Sequence, residues 1–202
     1  MPSCKSVQRS SLYKLLEDIR KLPVDGLPII AGSQAIHAVT DQIPEIARRS
    51  IECDLLYAGG QADVRALINR ELGILTDYQH ESGIYADAVG LATIILPIGW
   101  EERLVPLANG SGELVAHCVE IHDVGVSKLV AGRRKDFEFI TALFLSDLMQ
   151  TETFLERVEL VASKVENDVI RDRLAVLEKE LANTAFDPGS IDLLRTRIRH
   201  LN

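Results

Sequence analysis

The sequence predicts an α+β protein: a mixed β-sheet with flanking helices, followed by a C-terminal helical bundle. Three observations predict it. Strand-like apolar runs alternate with helix-spaced segments over the first eighty or so residues. From about Gly83 to Glu120 the pieces turn β-rich, and from Asp123 onward only helical periodicity remains. A strand–helix–strand–helix order followed by several strands argues for a mixed rather than a purely parallel sheet. The expected division is an α/β domain over 1–121 and a helical domain over 122–202.

Leu12, Leu15, Leu16, Ile19 and Leu22 recur at helical spacing, and Pro23 with Gly26 ends that helix. "LPIIAG" reads as a short buried strand. Ser33 is placed to cap a following helix, "SQAIHAVT". "SIECDLLYA" is the second strand, and Gly59-Gly60 turns the chain. "ADVRALINRELG" is a helix with Val64, Leu67, Ile68 and Leu72 inside. The β-rich region holds "GIYADAVGLATIILP", "ERLVPLA" and "ELVAHCVEI", with "NGSG" as a hairpin turn between the last two. Trp100 reads as a packed corner.

Five helices follow. "DVGVSKLVAG" leaves Gly132 as an interior residue or a bend. "KDFEFITALFLSDL" comes next, and "TETFLERVELVAS" is read with Thr151 as its cap. "NDVIRDRLAVLEKELAN" is charged on one face, and "DPGSIDLLRTRIRHL" opens on an Asp-Pro-Gly turn.

Composition narrows the function. A chain of 202 residues can bury a core without staples. A net charge of −8 argues against a general electrostatic nucleic-acid footprint, though not against a local basic groove. No apolar run approaches the roughly 20 residues a membrane span needs. The N-terminal segment has no apolar signal core, so a cytoplasmic protein is expected. Cys4, Cys53 and Cys118 are far apart and form no metal knuckle; the last two lie in apolar runs and read as core residues. His37 and His80 have no partner at helical spacing, which argues against a zinc site.

The chemistry lies in two acids inside the second strand. Glu52 and Asp54 are separated only by Cys53, and strand residues two apart point to the same face. Two carboxylates so placed raise each other's pKa unless a cation sits between them. Mg²⁺ is the natural candidate, bound by one or two carboxylates, waters and phosphate oxygens. Gly32 then gives a phosphate close access to the backbone, and Ser33 opens a helix that favours an anion. Asp87, in the next β-like piece, would complete a site for two metal ions. Asp77 and Glu81, read in a polar loop, compete for that third role. Further along, "SKLVAGRRKD" gathers Lys128, Arg133, Arg134 and Lys135 within two turns, a setting for phosphate. Lys128 has apolar neighbours and reads as partly buried, with either Asp136 or a phosphate as its partner.

"AGSQAIHA … ECDLLY" resembles the signature of the DNA polymerase beta-like nucleotidyltransferase superfamily: a Gly-Ser turn, an acid-x-acid pair, and a third acid on a later strand. "GIYADAV", "LPIGWEERLVPL" and "VSKLVAGRRKDFEFITALF" are similar to a bacterial, uncharacterised branch related to abortive-infection toxin nucleotidyltransferases. The resemblance spans about Leu27 to Leu148. The usual first acid of the superfamily is Asp; here it is Glu52. The resemblance implies a nucleotidyltransferase core in which Gly32 and Ser33 hold a nucleoside triphosphate and Glu52, Asp54 and Asp87 bind Mg²⁺. It assigns Lys128 to the nucleotide phosphates and places Arg133 and Asp136 in the same motif. The implied reaction moves a nucleoside monophosphate from an NTP to a hydroxyl acceptor on a tRNA, a protein or a small molecule. The alternative is a lapsed relative that binds a nucleotide or partner, with a homodimer or an antitoxin as candidate partners.

Overall fold

The computed structural model describes residues 9–57 and 61–201; the Gly59-Gly60 turn and Cys4 lie outside the described residues. The chain divides into two compact units. One runs through Ile94 and takes in Glu101–Glu120; the other takes Ile95–Trp100 and the chain from Ile121 onward.

In the first unit, helix α1 (Arg9–Arg20) buries Leu12, Leu15, Leu16 and Ile19, the expected stripe. It stops before Leu22: Lys21 and Leu22 donate their N–H groups to Asp18 and Ile19, the tighter pattern common at helix ends. The remaining elements in order are β1 (Ile29–Ile30), α2 (Glu45–Arg48), β2 (Glu52–Leu56), α3 (Ala62–Leu72), α4 (Asp77–Ser82), β3 (Tyr85–Ala88), β4 (Val105–Ala108) and β5 (Leu114–Cys118).

The strands form one mixed sheet in the order β3-β2-β1-β5-β4. β1 runs antiparallel to β2 and parallel to β5; β2 and β3 are parallel, and β4 and β5 antiparallel. The β2–β3 crossover is carried by α3 and α4, as a parallel pair requires a long connection. The β4–β5 turn falls on the expected Asn-Gly-Ser-Gly. There the Asn109 side chain accepts from the N–H groups of Ser111 and Glu113. Cys53 and Cys118 are buried core residues, and burial pushes both thiols up, Cys118 to about 12.

Several expectations are corrected. The segment after Gly32 is a 3₁₀ helix, Ser33–Ala38, and Ser33 is its first residue rather than a side-chain cap. α2 was not foreseen. Asp77 and Glu81 lie on a helix, not in a loop; Thr76 caps it by accepting from the Gln79 N–H, and Gly83 ends it at φ +74°.

The second unit contains α5 (Ile121–Ala131), α6 (Arg134–Leu145), α7 (Thr151–Glu159), α8 (Asn167–Ala182) and α9 (Pro188–His200). Gly132 is neither interior nor a bend within a helix. It sits just past α5 at φ +62°, where its carbonyl accepts from Arg173. Thr151 is the buried first residue of α7; Gln150 precedes it and donates its N–H to His122 Nε2 at 2.9 Å. Ile95–Trp100 is tied into this unit by Ile98 N–H to the Leu160 carbonyl and Lys164 Nζ to the Leu96 carbonyl. Trp100 is packed, as expected of a corner.

Candidate active site

β2 alternates from Glu52 to Leu55, and Leu56 at its end is buried as well. Cys53 and Leu55 are fully buried, while Glu52 and Asp54 on the opposite face are half-buried. The register with β3 pairs Glu52 with Tyr85 and Asp54 with Asp87. Register partners on adjacent strands lie side by side on one face. The sheet therefore gathers Glu52, Asp54, Tyr85 and Asp87 into one patch.

Gly32 closes the patch from the β1 side. The Ala31 N–H donates to the Asp54 carbonyl at 2.9 Å, so the chain leaving β1 is still bonded to β2. A Cβ built on Gly32 would overlap Asp54 Oδ2 outright and come within 2.7 Å of its Cγ. The backbone there is extended (φ −103°, ψ −155°), a conformation open to any residue. Glycine is needed for space, and the group using that space is the Asp54 carboxylate. The segment that follows packs inward: Ser33 and Gln34 are buried, and the Gln34 amide donates to the Ser50 carbonyl at 2.7 Å.

The electrostatics follow from the packing. Burial, with the charge of Glu52 added, raises the Asp87 carboxyl above its ordinary value. The Tyr85 hydroxyl donates to Glu52 Oε2 at 3.2 Å. Burial, then the Glu52 charge and that hydrogen bond, pushes the Tyr85 phenol up to about 12.

Among the described residues, no three carboxyl, imidazole or thiol groups converge as a ready-made ion cage. The donor set nonetheless fits Mg²⁺, which needs only one or two protein carboxylates and completes its shell with waters and phosphate oxygens. Asp54 and Asp87 stand on neighbouring strands in register, with Glu52 on the same face.

Lys128 and Arg133 belong to the second unit, where both meet Asp136. Arg133 Nε donates to its Oδ2 at 2.7 Å, and Lys128 Nζ reaches Oδ1 at 3.4 Å. Asp136 is fully buried, and the Arg133 N–H also donates to it, closing the first turn of α6. Lys128 lies 4.9 Å from the centre of the Phe139 ring, so its ammonium also has an aromatic face. Arg134 points to solvent and pairs with Glu138 at 3.1 Å.

Tyr85 is the site residue that sequence reasoning missed. Its signal was present: it stands two residues before Asp87, so both share the face that Glu52 and Asp54 occupy across the strand pair.

No curated protein and no solved structure matches the chain. A family model described as nucleotidyltransferase of unknown function (DUF6036) matches residues 10–184, which includes the sheet, the acid patch and the motif around Asp136. With that match covering most of its length, the chain belongs to this family of nucleotidyltransferases.

Proposed function

We propose that the patch transfers a nucleoside monophosphate from an NTP to a hydroxyl acceptor with the help of Mg²⁺. The observation that carries this reading is the β2–β3 register. It sets Asp87 beside Asp54, with Glu52 on the same face and Gly32 making room for the Asp54 carboxylate. Glu52 and Asp54 would hold the ion, and Gly32 with Ser33 would border the triphosphate. A divalent cation bound there would neutralise charge on the phosphates and on the leaving pyrophosphate. Asp87 would take the proton of the acceptor hydroxyl as it attacks the α-phosphate, and pyrophosphate would leave. Fixed carboxylates on adjacent strands suit such chemistry, because positioning and electrostatics carry most of phosphoryl transfer. The acceptor is a tRNA, a protein or a small molecule; a net charge of −8 favours the last two.

The test is transfer from each α-labelled triphosphate to cellular RNA, protein and small-molecule extracts, beside Asp54→Ala. Label carried by the wild type and lost in the variant supports the reading. Label equal in both, or absent in both, overturns it. Calorimetry with Mg²⁺ and the triphosphates then separates a lapsed binder from a protein with no nucleotide site.

A further inference from the structure

The two acids of β2 have different supports. Asp54 lies against the backbone of Gly32, on the β1 side. Glu52 reaches the other way, to the Tyr85 hydroxyl on β3 at 3.2 Å. Side chains two apart on a strand would otherwise stand parallel and repel. Here the sheet offers the longer of the two a donor on one flank and the shorter a space on the other.

Tyr85 is well placed for this task. It is the register partner of Glu52, so the backbone pairing itself fixes the distance between them. The ring is buried, which restricts its rotamers, while the hydroxyl reaches the half-buried acid. A phenol has one O–H to give, and it goes to Oε2 of Glu52. Outer partners of this kind orient ligating carboxylates, and their loss typically weakens metal affinity about 10–100-fold.

We propose that Tyr85 is the positioning residue of the acid patch, holding the Glu52 carboxylate on the β3 flank as a ligand for a divalent cation bound at the patch. This rests on the cation reading of the site given above. Tyr85 touches neither substrate nor ion in this scheme; it acts through Glu52.

The experiment is titration of the full-length protein with Mn²⁺, by calorimetry and by the electron paramagnetic resonance signal of free ion. It compares wild type, Tyr85→Phe, Glu52→Gln and the double variant, with melting curves for each. The expected result is a Mn²⁺ affinity about tenfold lower in Tyr85→Phe, with folding retained, and no further loss when Tyr85→Phe is added to Glu52→Gln. A purely structural tyrosine would give the same decrement in both backgrounds, and that outcome overturns the proposal. So does a Tyr85→Phe variant that binds Mn²⁺ like wild type. Wild-type protein that binds no Mn²⁺ overturns the cation reading itself and this inference with it, which separates the two failures. If Tyr85→Phe does not fold, Tyr85→His takes its place in the cycle under the same criteria.

Discussion

The Asp54 carboxylate occupies the space that a side chain on residue 32 would fill. Gly32 thus sets the position of an acid on the neighbouring strand, and its backbone angles play no part. Gly32→Ala is expected to keep the fold and displace Asp54. The overlap costs about 1–3 kcal/mol, partly offset by the reduced freedom of the unfolded chain. Melting should drop by a few degrees, while Mn²⁺ affinity and any transferase activity fall at least about tenfold, since a displacement near 1 Å is costly to positioned chemistry. Unchanged Mn²⁺ binding in a folded Gly32→Ala protein would show that Asp54 has room elsewhere.

The acids compete for the third role on unequal terms. Asp87 is in register with Asp54, whereas Asp77 and Glu81 ride on α4, whose cap and left-handed end fix it as a helix. Asp87→Asn is expected to reduce transfer by about 10²-fold or more, the usual scale for losing a general base. Asp77→Asn and Glu81→Gln should stay within about twofold of wild type in the same assay.

His37 makes the fold sensitive to mild acid. It lies on the 3₁₀ helix after Ser33 at 2 % exposure, and burial, aided by the Arg9 charge, holds its imidazole down to about 4. Between that value and the ordinary 6.5 the unfolded chain binds the extra proton and the folded chain does not, so stability rises with pH across this window. The group therefore contributes fully at neutral pH, and about 3 kcal/mol is lost as pH falls from 6.5 to 4. Urea melts at pH 7, 5.5 and 4.5 should show a steeper decline for wild type than for His37→Gln. Parallel declines would mean that His37 titrates normally.

The acid patch was legible in the sequence because strand parity is a local rule: Glu52-Cys53-Asp54 sends both carboxylates to one face whatever the rest of the chain does. α1 and the hairpin at Asn109 were legible for the same reason. What periodicity could not give was pairing. That Tyr85 meets Glu52 and Asp87 meets Asp54 depends on which strands become neighbours and in what register, a non-local fact. Gly32 was expected to open the backbone to a phosphate, whereas the place its Cβ would take is filled by the carboxylate of Asp54, 22 positions on. Ser33–Ala38 reads from the sequence only as a helix after Gly32, because over six residues the apolar spacing does not separate 3₁₀ from α hydrogen bonding.

Asp136 is the best test of what holds the second unit together. It is fully buried, and a buried carboxylate survives as an anion only when its charge is met. Burial alone would raise its pKa, but the Arg133 hydrogen bonds and the charges of Lys128 and Arg133 outweigh that and hold it below the ordinary 3.8. A depressed folded-state value means that the ion pair stabilises above the unfolded pKa and is lost as pH falls through the folded one. Asp136→Ala strands Lys128, whose side chain is only 15 % exposed, and removes the acceptor at the start of α6. The expected cost at pH 7 is about 3 kcal/mol, the lower end for breaking a buried pair, because Arg133 is 59 % exposed and returns to water. Lys128→Met leaves Arg133 on the carboxylate and should cost nearer 1 kcal/mol. Urea unfolding of the three proteins at pH 7 and pH 3 gives the answer, with the gap between wild type and Asp136→Ala narrowing at the lower pH. If Lys128→Met costs as much as Asp136→Ala, the lysine and not Arg133 is the counter-charge that keeps the buried carboxylate ionised.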